Sequence, residues 1–130
     1  MTTSTAIAIA ANASPFEDYV RHVRQQKQQY LQQVQQRHQE GLEQAHKMAS
    51  LLKHEFGVRE VLLFGSLLDA KRVHLYSDID LAVWGLSCDR YCEAVGTLLC
   101  NLKNFSIDLV MLETAQPSLL NHILTHGVSL

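Results

Sequence analysis

The amino-acid sequence predicts an α/β (α+β) domain, a small mixed sheet with flanking helices, preceded by a long N-terminal helix. Three observations lead there. A stripe of apolar or small residues at helical spacing runs from Phe16 to Leu52. The period then turns extended over Val58 to Phe64 (VREVLLF). Two more β-prone runs, Ile79 to Trp84 and Ser106 to Leu112, are separated by a segment that is helical in its spacing. Helices alternating with short strands bury their apolar sides on a common sheet.

In chain order, residues 1–13 read as a flexible tail: the short AIAIAA run has no Lys or Arg ahead of it, which a secretory signal would need. Ser14-Pro15-Phe16-Glu17 opens the helix, with Ser at the cap, Pro at the first helical position and Glu placed to close a capping box. The stripe continues through Val20, Val23, Leu31, Val34, Leu42, Ala45, Ala49 and Leu52, interrupted by Lys27 and His38. Lys53, His54 and then Gly57 end it, by positive charge in the last turn and a residue that tolerates a left-handed conformation. As one rod this helix would span roughly 60 Å at ~1.5 Å per residue. Gly41, costing about 1 kcal/mol against Ala in a helix interior, is a candidate bend. The division expected is therefore a helical extension over 14–44 and a domain over 45–130. Two readings of the Gln-rich extension (QQKQQYLQQVQQRHQ) stay open: a solvated helix, or a coiled helix that builds a homo-oligomer or a complex with another protein.

Beyond the first strand, Tyr91, Val95, Leu98, Leu99 and Leu102 mark a helix over Arg90 to Leu102. A short helix over Ser118 to Thr125 closes at Gly127, leaving Val128-Ser129-Leu130 for a stub of strand.

With 47% hydrophobic and 18% charged residues in a chain of 130, one modest core is expected and a second full domain is not. Acidic residues number 13 against 11 Lys plus Arg, so no summed positive field draws the chain to nucleic acid or an anionic membrane. No apolar run approaches the ~20 residues of a membrane span. Cys88, Cys92 and Cys100 are odd in number and lack the close pairing of a zinc site, which suits reduced thiols in the cytoplasm.

The chemistry concentrates in LLFGSLLDAKRVHLYSDIDLAVWG, Leu62 to Gly85. Alternate strand residues share a face, so Asp78, Asp80 and Ala82 point one way and Ile79, Leu81 and Val83 the other. Asp is disfavoured in strands, and neighbouring like charges repel, so a compensating cation is expected. Magnesium suits this role, since carboxylates can hold it while leaving positions for substrate phosphates. Gly65 lets backbone approach a ligand, and Ser66 can open a helix whose amides and hydroxyl bind phosphate. Asp108, between Ile107 and Leu109, joins the same side if its strand neighbours that of Asp80. His122 and His126, four apart, read as surface residues; Tyr76 and Trp84 flank the acidic strand as packing aromatics or as a stacking surface for a base.

Taken together, LFGS, SDIDLAV, IDLVMLE and the closing HILTHGVSL resemble the DNA polymerase β-like nucleotidyltransferase superfamily, and within it the minimal nucleotidyltransferase (MNT) branch, over about Ala45 to Leu130. The resemblance implies transfer of a nucleoside monophosphate, from ATP as donor, to a hydroxyl with loss of pyrophosphate. It implies that Gly65 and Ser66 bind the triphosphate, that Asp78 and Asp80 hold two Mg2+ ions, and that Asp108 completes the catalytic ion's ligands and helps deprotonate the acceptor. The sequence departs from the pattern twice: eleven residues separate Ser66 from Asp78, one more than usual, and Leu67-Leu68-Asp69 replaces an Arg-containing run. Lys71 and Arg72 are the candidate substitutes for triphosphate contacts. Similar proteins are antitoxins of HEPN-domain ribonuclease toxins that transfer AMP to a toxin tyrosine, which makes a HEPN toxin the implied partner. Two other readings are an antitoxin that acts by binding alone and an adenylyltransferase of the aminoglycoside type, the latter disfavoured because no substrate domain follows.

Overall fold

The computed structural model describes residues 14–69 and 71–130; the tail expected over residues 1–13 lies outside them. Helix α1 spans Pro15–Phe56, strand β1 Glu60–Phe64, β2 Ile79–Trp84, helix α2 Tyr91–Asn101, β3 Ile107–Met111, helix α3 Pro117–His126 and β4 Val128–Ser129. These are the elements expected from sequence, with ends displaced by one or two residues. The exception follows Gly65. Where the sequence suggested a phosphate-binding helix, Ser66–Leu68 forms one 3-10 turn only.

The ends of α1 are built as their residues require. Ser14 Oγ accepts the Glu17 amide at 3.1 Å, satisfying one of the donors that an α-helix leaves open at its start. At the other end Gly57 takes φ 65°, and the Val58 amide reaches back to the Leu52 carbonyl at 3.3 Å. That is the reversal a left-handed residue permits.

The described residues divide into two units, the first ending at Gln33 and the second starting at Val34. In the first, Phe16, Tyr19, Val23, Tyr30 and Leu31 are exposed. In the second, Val34 and Gly41 are already buried, and Arg37 and His38 already bond to loops of the sheet. Gly41 is not a break, since α1 continues through it. A Cβ there would lie 2.9 Å from Leu67 Cδ2 and 3.1 Å from Phe105 Cε1. The glycine instead lets the helix approach the turn after β1 and the entry to β3 closely.

The sheet order is β3-β2-β1-β4. β1 is antiparallel to both β2 and β4, and β2 is parallel to β3. One face carries Val61, Leu63, Ile79, Leu81, Val83 and Leu109 into the main core with Ala45, Met48, Leu52, Ala94 and Leu98 of α1 and α2. The other carries Phe64 and Ala82 into a smaller cluster with Leu112 and with Ile123 of α3. Among the described residues no helix is long and apolar enough to cross a membrane.

Candidate active site

The parallel register sets Asp80 beside Asp108, and the antiparallel one sets Asp80 beside Phe64, the residue before Gly65. Strand pairing therefore gathers one acid from each of two strands at the end of the sheet where the Gly-Ser turn leaves β1. Both lie on the face opposite the main core, as the alternation of β2 required. Asp78 sits just ahead of β2, exposed.

Asp80 is half-buried, and its carboxyl is pushed up from 3.8 to about 6 by desolvation, then by the charges of Asp108 and Asp78. The three acids are close enough to be felt electrostatically at one carboxylate. Among the described residues, however, no three Asp, Glu, His or Cys side chains are gathered closely enough to cage a metal by themselves.

Gly65 is fixed by two independent constraints. Its φ is 83°, a region costly for L side chains. A Cβ built on it would also lie on Asp80 Oδ2 and 3.0 Å from Asp80 Cγ. The turn thus touches the central carboxylate with bare backbone. Ser66 follows as the first residue of the 3-10 turn, which closes through Leu68 N to Gly65 O and Asp69 N to Ser66 O.

Two residues of α1 that sequence reasoning passed over hold both halves of this arrangement. Arg37 donates to the Asn104 carbonyl at 2.8 Å and the Ser77 carbonyl at 3.2 Å. Its guanidinium lies 3.9 Å from the centre of the Phe105 ring. Ser77 immediately precedes Asp78, and Asn104, at φ 64°, leads into β3. One side chain therefore braces the entries of both acidic strands. His38 donates through Nε2 to the Leu67 carbonyl at 2.7 Å, anchoring the Gly-Ser turn. The only sequence signal was negative: both interrupt or border the apolar stripe of α1.

Of the remaining candidates, Arg72 lines a cavity of about 380 Å3 together with Gly65, Leu68, Asp69, His122 and His126. Lys71 is exposed, is not in that lining, and its amide bonds Asp69 Oδ1 at 2.9 Å. Tyr76 is 82% exposed, and Trp84 closes the far end of β2 from Asp80.

Residues 46–130 match the family described as Polymerase beta, Nucleotidyltransferase. The chain belongs to this nucleotidyltransferase family. Comparison with curated proteins finds no match. Among solved structures, the toxin–antitoxin complex MntA–HepT is similar at 27% identity and TM-score 0.51, over 66% of this chain and 68% of the other. A toxin–antitoxin structure with AMP-PNP matches at 28% identity and TM-score 0.55, over 65% and 70%. A tri-AMPylated Shewanella oneidensis HEPN toxin in complex with MNT antitoxin matches at 28% identity and TM-score 0.53, over 68% and 70%. The nucleotidyltransferase fold of this chain is thus that of MNT antitoxins of HEPN toxin pairs.

Proposed function

We propose that this nucleotidyltransferase is a cytoplasmic antitoxin that transfers AMP from ATP to a tyrosine hydroxyl of a HEPN ribonuclease toxin, releasing pyrophosphate. The observation that carries the proposal is the register of Asp80 with Asp108 beside Gly65, where any side chain would be strained and would meet the Asp80 carboxylate. The similar complexes, one with AMP-PNP and one with a tri-AMPylated HEPN toxin, support ATP as donor and a HEPN toxin as the molecule modified.

The acids suit magnesium, a cation that takes oxygen ligands and is usually held by one or two carboxylates together with substrate phosphates. Asp78, Asp80 and Asp108 offer only oxygens, the ligand chemistry this cation takes. Asp78 and Asp80 would hold two ions, with Asp108 completing the second. When bound, they would offset the charge of the triphosphate and of the developing oxyanion.

The chain's own residues do the rest. Gly65 and Ser66 present backbone and hydroxyl to the triphosphate, and Arg72, with Lys71 nearby, supplies positive charge. Asp108 accepts the proton of the tyrosine hydroxyl; that oxygen bonds to the α-phosphorus as the bond to the β-phosphate oxygen breaks, and pyrophosphate leaves. The exposed apolar residues of α1, Phe16 to Leu31, offer surface for a complex with the toxin or with a second copy.

The deciding experiment incubates the chain with labelled ATP, magnesium and the purified product of a neighbouring HEPN-type gene. Asp108→Asn is nearly isosteric and should keep Mg-ATP and toxin binding while transfer falls by about 100-fold or more. Toxin neutralisation should fall with it. Full protection by the variant, with no adenylyl mass added to the toxin by the unmodified chain, would establish neutralisation by binding alone.

A further inference from the structure

We propose that Arg72, His122 and His126 form an anion pocket that takes the terminal phosphates of the nucleotide, in line with Asp80 across Gly65. The proposal rests on the nucleotide reading of the acids and extends it to residues of the last helix.

The cavity of about 380 Å3 lies at the lower end of the range of small-ligand sites, ~300–1,000 Å3. Its polar lining is mostly donors. The Arg72 guanidinium is a planar fork matched to phosphate oxygens. Each imidazole has an N–H to give even when neutral, and two when protonated. The two rings stand 4.9 Å apart on successive turns of α3. Between them in sequence, Ile123 is fully buried with Phe64 and Ala82, which fixes the helix that carries them.

These donors are not committed elsewhere among the described residues. The ion pairs there are Arg21–Asp18 and Arg90–Glu93, and the imidazoles that form hydrogen bonds are His38 and His74. Asp69 is the one acid in the lining, and its Oδ1 already accepts the Lys71 amide. Two histidines and an aspartate invite a metal, but among the described residues no such trio is placed to hold one. A guanidinium in the lining also argues for an anion.

Position selects the ligand. Gly65 lines this cavity and also lies against the Asp80 carboxylate. A molecule reaching from the acids past the bare glycine would put its distal groups among Arg72, His122 and His126. A nucleoside triphosphate carries its charge along such a line.

The test uses the full chain and calorimetric titration with Mg-ATP, AMP and inorganic tripolyphosphate. Arg72→Ala, His122→Ala and His126→Ala change exposed side chains, and melting curves verify that each variant folds. Each should weaken Mg-ATP and tripolyphosphate by about tenfold, the loss typical of one hydrogen bond to a charged group, and leave AMP unaffected. In the unmodified chain, tripolyphosphate should shift the ring resonances of both histidines. Unchanged Mg-ATP affinity in all three variants, with loss in Asp80→Asn, would overturn the pocket and leave the nucleotide reading standing. Equal weakening of AMP and ATP would also overturn the assignment to terminal phosphates. An unmodified chain that binds no ATP would remove both.

Discussion

The two faces of the sheet are built from the same three strands to opposite specifications. Toward α1 and α2, Val61, Leu63, Ile79, Leu81 and Val83 are all at most 1% exposed. Toward α3, apolar packing holds only around Phe64, Ala82 and Ile123 and gives way to Asp80 and Asp108 at the end of the sheet. The closed face needs nothing but shape and hydrophobicity. The open face holds like charges that a stability-optimised strand would avoid. The difference teaches that this domain concentrates its apolar core on one side of the strands and its acids on the other, with a single-residue alternation keeping them apart.

The largest effect should come from breaking the closed face. Leu81 is fully buried between Asp80 and Ala82, so Leu81→Ala removes core without touching a candidate functional group. Chemical denaturation should show a loss of about 2–5 kcal/mol. A loss below about 1 kcal/mol would mean that the main core does not carry the fold as its burial indicates.

An intermediate effect should come from Arg37, which joins the faces by holding the loops ahead of β2 and β3. Arg37→Ala leaves the Ser77 and Asn104 carbonyls without their charged donor and uncovers the Phe105 ring. A loss of about 1–3 kcal/mol is expected, together with weaker Mg-ATP binding because Asp78 and Asp108 are less well placed. Lys in its place should restore little of either, since one ammonium cannot reproduce the planar fork. Full rescue by Lys would show that charge alone, and not the two-carbonyl geometry, is what this position supplies.

Much of this contrast was legible in the sequence because it rests on local periodicity. The period-two pattern of IDLAVW placed Asp80 opposite Leu81 before any strand partner was known, and the Ser14 cap and Gly57 stop bounded α1. The pairing of Asp80 with Asp108 depended on β2 and β3 being neighbours, which the sequence could state only as a condition. What stayed hidden is long-range. Arg37 and His38 find their acceptors 67, 40 and 29 residues away, and no spacing rule links them. Gly41 is a candidate bend in the sequence because helix propensity is visible there, while Leu67 and Phe105 pressing on it are not. His122 and His126 read as surface residues because exposure and membership of a cavity are compatible, and only the fold brings Arg72 and Gly65 to them.

The smallest effect, and the one of opposite sign, should come from relieving the open face. In the metal-free chain Asp80 holds its proton up to about pH 6 instead of 3.8. Between those values the folded state therefore binds more protons than the unfolded one, and stability falls as pH rises through the window. Below it the carboxyl is protonated in both states and costs nothing; above it the full cost remains. Asp80→Asn removes the group, so the variant should match the unmodified chain near pH 3.5 and exceed it above about pH 6.5. For a half-exposed carboxyl screened by water the gain should be on the order of 1 kcal/mol, or a few degrees in Tm. Magnesium should narrow that gap by raising the Tm of the unmodified chain alone. Identical melting of the two proteins across pH 3.5 to 7 would mean that the three acids coexist without cost, and the contrast between the faces would reduce to one of shape.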